Sequence, residues 1–143
     1  MPQIIKDLNL LLAENYALYL KTQCYHWNIT GHNFYQLHLL FEKQYNDLGQ
    51  ANDAIAERIR ALDAKVPASF SLFNAAKTAT DPQADSNSTT MLGDLMKDHQ
   101  HLADLLLKLA GSAAASNDKA TEDLMIERLR EHEKQIWILK SSL

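Results

Sequence analysis

At 143 residues the chain has the length of one domain with a core of its own, and its single cysteine, Cys24, excludes an internal disulfide. With 46% apolar and 22% charged residues but only 4 glycines and 3 prolines, the composition argues against a β-sandwich or a disordered chain and for an all-α protein. The formal net charge is -4 and neither end carries a cluster of Lys or Arg, so the sequence lacks the cations that hold DNA phosphates. The amino terminus has no basic stretch leading into an apolar signal core. No window of about 18 apolar residues could span a bilayer, so a cytoplasmic protein is expected.

The first predicted helix runs from Gln3 to about Thr30. Ile4, Ile5, Leu8, Leu11, Leu12, Leu18 and Tyr19 keep a helical period up to the turn Thr30-Gly31-His32-Asn33. Near its end stand Cys24 and His26. Helical neighbours two apart point about 200° away from each other, so the two do not chelate together, and Cys24 reads as a buried thiol.

The second helix begins at Phe34 and covers about 30 residues, or roughly 45 Å. Phe34, Leu37, Phe41, Tyr45, Leu48, Ile55, Ile59 and Leu62 form its apolar stripe. With His26, this helix supplies five potential metal ligands, His26, His38, Glu42, Asp53 and Glu57. At roughly 100° per residue, positions 38, 42, 53 and 57 fall near 0°, 40°, 60° and 100°, a single stripe flanking the apolar one. Yet at about 1.5 Å per residue Glu42 and Asp53 lie roughly 16 Å apart along the axis, beyond the reach of one ion. A second chain packed antiparallel, with a two-fold axis near residues 47 and 48, would bring His38 and Glu42 opposite Asp53 and Glu57 of its partner, giving two equivalent sites per dimer. Gly49 lies on the same stripe near that axis, where close helix approach would account for it.

Residues 64 to about 87 hold Pro67, Pro82 and many polar residues, with one apolar stretch, Phe70 to Ala79, suited to a short helix. A third long helix is expected from near Ser88 to Ala110, turning Leu92, Leu95, Leu102, Leu105, Leu106 and Leu109 inward, with Gly111 just past its end. The fourth runs from about Asn117 to Lys140, capped by Ser116 or Asn117, with Leu124, Met125, Leu129, Ile136 and Leu139 as its apolar set. Its start is acidic. Asp118, Asp123 and Glu127 would form rings of carboxylates if a three-fold axis gathered them, although acids in a first turn also answer the helix dipole. His32, His99, His101 and His132 carry no ligand pattern, and His99 and His101 point apart.

Short links make the first and second helices, and the third and fourth, antiparallel neighbours. The long middle connection can cross the bundle, which is ferritin-like topology with a short extra helix in the crossover. An internal di-iron centre of that fold uses Glu-x-x-His pairs, and no His here has a Glu three residues before it; Asp98-x-x-His101 comes nearest. An intersubunit site is the better expectation.

Across nearly its whole length the sequence resembles the Dps family of mini-ferritins, DNA-binding proteins of starved cells. The match is most specific at Tyr25-His26-Trp27-Asn28, Gly31-His32-Asn33-Phe34, Leu37-His38-x3-Glu42 and Asp53-x3-Glu57-Arg58-Ile59. The resemblance implies a single ferritin-like domain over residues 1–143 that assembles as a hollow homododecamer. Its ferroxidase centres would lie at two-fold interfaces, with His26, His38 and Glu42 from one chain and Asp53 and Glu57 from the next. Glu42 stands where the family often has Asp. The implied activity is oxidation of Fe(II) by hydrogen peroxide, or by dioxygen, with storage of the ferric mineral; zinc is a possible competitor for the site. The resemblance also makes Trp27 a candidate electron-transfer aid, while Trp137 reads as packing. A DNA-compacting, shielding protein is the alternative function, which the missing basic tail disfavours.

Overall fold

A computed structural model describes residues 1–143. Five helices and no strand make up the chain: α1 (Gln3–Asn28), α2 (Phe34–Ala61), α3 (Phe70–Ala76), α4 (Ser88–Ala115) and α5 (Lys119–Ser141). None is long and apolar enough to cross a membrane. The four long helices form two hairpins, α1 on α2 and α4 on α5, which meet mainly along α1 and α4; α2 touches α5 only sparsely. A continuous core fills the middle, with Leu8, Leu11, Leu18, Phe41, Leu48, Ile55, Ile59, Met91, Leu95, Leu106 and Met125 all essentially excluded from water. Burial of such side chains contributes about 1.5–3 kcal/mol each.

Helix ends explain where the predicted boundaries move. Instead of stopping before Gly111, α4 runs through it to Ala115 and buries Ala113. One helical glycine costs only about 1 kcal/mol, and the alanines beyond it are strong helix formers. The stop comes from Asn117, whose φ of 55° is left-handed. Its N–H reaches Ala114 O and that of Asp118 reaches Ala113 O, the paired bonds of a Schellman end. Asp63 (φ 64°) ends α2 the same way, its N–H donating to Arg60 O and that of Ala64 to Ile59 O. The cap of α5 is Asp118 rather than Ser116 or Asn117, because only the carboxylate accepts from Thr121 N.

Polar groups fasten the crossover. Glu14, buried on α1, accepts from both N–H and Oγ1 of Thr78 at 2.7 Å. Lys21, also buried, reaches Asp98 at 2.6 Å and Asp94 at 3.4 Å on α4, and Tyr25 donates its hydroxyl to Asp94 at 2.5 Å. Burial pushes the Asp98 carboxyl above the usual carboxylate range, against the pull of Lys21. Burial and the neighbouring Asp94 carboxylate likewise hold the Tyr25 hydroxyl well above its ordinary value. The Asp98-x-x-His101 pair is therefore structural: Asp98 is bound to Lys21, and His101 faces Glu14 at 3.4 Å.

Gly49 has a reason inside the chain. A Cβ there would stand 3.2 Å from Cε2 of Tyr19, so the missing side chain makes room for that ring on the flank of α2.

A candidate metal centre

The turn between α1 and α2 folds the end of one helix onto the start of the next and lays His26 against His38. Their rings stack with centroids 3.8 Å apart and planes 13° from parallel. Each Nδ1 lies 2.7 Å from the other residue's backbone carbonyl, His26 on His38 O and His38 on His26 O. A carbonyl oxygen only accepts, so each Nδ1 must carry the hydrogen. In the neutral rings that leaves both Nε2 atoms as unprotonated lone pairs, the arrangement in which an outer hydrogen bond fixes tautomer and orientation for a metal. Phe34, expected in the core, is 43% exposed and instead stacks on His38 at 5.1 Å, while Tyr45 meets His26 edge-on at 5.2 Å.

Glu42 follows His38 by one turn and is half-buried; Asp53 and Glu57 are exposed further along the same unbroken helix. These three carboxylates make no ion pair or side-chain hydrogen bond within the chain, whereas the neighbouring Asp47 holds Arg128 through two bonds of 3.1 and 2.9 Å and Arg58 holds Asp118 at 2.9 Å. Asp47 and Arg58, on the side of α2 turned away from the ligand stripe, are thus paired with α5, whereas the three acids of the ligand pattern are left free within the chain. No three His, Cys, Asp or Glu side chains converge within the chain on a geometry that would hold an ion. The fold brings His26, His38 and Glu42 to one end of α2 and leaves Asp53 and Glu57 towards the other, as the helical arithmetic requires.

Of the acids at the start of α5, Asp123 and Glu127 are exposed. Asp118 is committed differently. It caps the helix, accepts from Thr121 Oγ1 at 2.6 Å and pairs with Arg58. Burial works to raise its carboxyl, but the bonds from Thr121 and the Arg58 guanidinium outweigh that and hold it below the usual range. Trp27 is 62% exposed beside His26, and Trp137, expected to pack, is 65% exposed. Cys24 is only partly buried.

Sequence reasoning missed a second imidazole pair. His99 on α4 and His132 on α5 are both buried, with their Nδ1 atoms 2.8 Å apart and Arg128 at 3.5 Å from His132 Nε2. Because Arg128 can only donate, His132 accepts at Nε2 and donates from Nδ1 to His99. Burial, with Arg128 alongside, lowers His99 to about 3; burial, then His99 and Arg128, lowers His132 well below its ordinary value. The only sequence signal was that both fall on largely apolar faces, His99 one turn before Leu102 and Ala103 and His132 one turn after Leu129 and two turns from Met125 and Leu139.

Comparison with known proteins agrees with this architecture. Residues 5–143 match the family model described as a ferritin-like domain. An uncharacterised low temperature-induced protein of Nostoc sp. is 36% identical, the match covering 96% of this chain and 78% of that protein. DNA protection during starvation protein 2 of Bacillus anthracis is 30% identical, covering 99% and 97%. Among solved structures, the Dps protein of Vibrio cholerae, described as a ferritin-like diiron-carboxylate protein, superposes with a TM-score of 0.94 at 32% identity over 97% of this chain and 87% of that one. The fold is therefore that of the Dps proteins, and the chain belongs to that branch of the ferritin-like family.

Proposed function

We propose that this protein is an Fe(II)-oxidising, iron-storing mini-ferritin whose redox centre is completed only on assembly. His26, His38 and Glu42 of one protomer and Asp53 and Glu57 of its partner form each centre, two per two-fold dimer, within a hollow dodecamer in the cytoplasm. What carries this reading is the state of the donor atoms. Two imidazoles are pinned through Nδ1 to carbonyls at 2.7 Å with Nε2 left for a metal, and the three carboxylates of the pattern have no partner of their own. Mixed imidazole and carboxylate donors suit iron, and anionic oxygen favours the ferric product, so bound Fe(II) gives up electrons readily. Hydrogen peroxide is the preferred oxidant, consumed two electrons at a time without releasing hydroxyl radicals. Zinc would compete for the same donors. Asp123 and Glu127, exposed one turn apart on α5, line the cation entry at the three-fold axis, with Asp118 behind them held by Arg58.

Complementation between protomers tests this reading. Homogeneous His38→Ala and Asp53→Ala proteins should each oxidise Fe(II) with peroxide only at the uncatalysed rate. After the two are dissociated together and reassembled, roughly half the dimers are mixed and each holds one intact centre, so roughly a quarter of wild-type activity should return. Reassembled particles that recover nothing would refute the shared site.

A further inference from the structure

We propose that Tyr45, Tyr19 and Tyr16 form an electron-hole relay that supplies peroxide with its second electron when a centre holds a single Fe(II). This rests on the site reading above and goes beyond it. From the His26 ring the structure offers a continuous aromatic path: Tyr45 edge-on at 5.2 Å, Tyr19 edge-on to Tyr45 at 5.9 Å, and Tyr16 tilted against Tyr19 at 5.6 Å. The last oxidisable ring, Tyr16, packs on Phe73 at 5.1 Å and lines an open groove of about 220 Å³ between α1 and α3. Electron tunnelling weakens steeply with distance, so a row of phenols in ring contact divides a long transfer into short steps, which a single aromatic neighbour cannot do.

A second observation bears on the same rings. Gly49, in the middle of a helix where glycine costs about 1 kcal/mol, carries no side chain at the point where Tyr19 lies against α2. Any Cβ would crowd Cε2 of Tyr19 at 3.2 Å, so the backbone concession keeps this ring within reach of Tyr45. Tyr25, although adjacent to His26 in sequence, turns its hydroxyl to Asp94 on α4 and stands outside the path.

The chemistry balances. Hydrogen peroxide takes one electron from Fe(II) and one electron with a proton from the phenol of Tyr45. Fe(II), H2O2 and TyrOH give Fe(III), a tyrosyl radical, water and hydroxide, with the O–O bond broken and no hydroxyl radical released. The hole then moves to Tyr19 and Tyr16. The next Fe(II) to arrive returns one electron, and a proton from water restores the phenol. Without the relay, a lone Fe(II) supplies one electron only, and peroxide splits to hydroxide and a free hydroxyl radical.

The test is freeze-quenched EPR of the assembled protein loaded with Fe(II) well below one per centre and mixed with peroxide, alongside spin-trapping of hydroxyl radical. A tyrosyl signal is expected whose hyperfine pattern collapses with ring-deuterated tyrosine and not with ring-deuterated tryptophan. Tyr45→Phe, which keeps the ring packing, should lose that signal and raise the hydroxyl adduct several-fold; Tyr25→Phe should retain it. Failure of the wild type to oxidise Fe(II) at all would overturn the site reading and the relay with it. Normal oxidation accompanied by a radical that resides on tryptophan, or that survives Tyr45→Phe unchanged, overturns the relay alone.

Discussion

Acidification should unfold this protein through His99 and His132, and the size of the effect follows from their burial. In the unfolded chain each imidazole titrates near 6.5. In the folded chain His99 is lowered to about 3 and His132 is lowered well below its ordinary value, first by burial. The unfolded state therefore binds protons below pH 6.5 that the native state refuses, and stability falls as pH drops from there towards about 3. Each histidine costs about 1.4 kcal/mol per pH unit once well below 6.5, so by pH 5 the pair removes about 4 kcal/mol relative to pH 7. That is a large share of the roughly 5–15 kcal/mol that holds a domain of this size together. Urea unfolding of the wild type and of His99→Leu/His132→Leu, at matched protein concentration and at pH 7 and pH 5, isolates the effect. His26, His38 and the carboxylates are common to both proteins and cancel in the comparison. The apolar variant should lose about 4 kcal/mol less than the wild type between the two pH values. An equal loss in both proteins would refute the assignment of a neutral, buried imidazole pair.

Three further perturbations read out other parts of the scaffold. Lys21→Met leaves Asp94 and Asp98 on α4 without their cation and should destabilise the fold by about 3–5 kcal/mol at pH 7, a deficit that shrinks as acid protonates Asp98; calorimetry across pH checks both. Gly49→Leu should cost about 1–3 kcal/mol by displacing Tyr19, and in a double-mutant cycle with Tyr19→Ala that cost should largely vanish; additive losses would contradict the packing reason for the glycine. Asp118→Ala removes the α5 cap and the Arg58 partner, for a loss of about 1–2 kcal/mol by chemical denaturation. Because the folded carboxyl of Asp118 is lowered, that loss should be present above the unfolded carboxylate pKa and should fade as pH falls through the folded one.

Much of this molecule was written in its residue periods. Apart from Phe34, the apolar stripes of α1, α2 and α4 lie on the core side, the crossover has its short helix, and the His38, Glu42, Asp53 and Glu57 stripe lies on one unbroken helix, because helical geometry is local and converts spacing directly into position. That Glu42 and Asp53 do not meet within one chain was equally legible, since a fixed rise per residue separates them whatever the packing. What sequence did not show were the long-range polar contacts. Lys21, Glu14, Arg128, His99 and His132 belong to none of the sequence motifs, yet all are buried, because each finds its partner on another helix or in the crossover. The same holds for the tautomers of His26 and His38: the residues were visible, but only the α1–α2 corner sets each Nδ1 against a carbonyl and so decides which nitrogen is left with its lone pair free. Gly49 likewise needed the fold, since the ring it admits comes from another helix. Spacing along a helix is a property of the backbone and can be counted; the choice of partner depends on how helices dock, and that is settled only when the core closes.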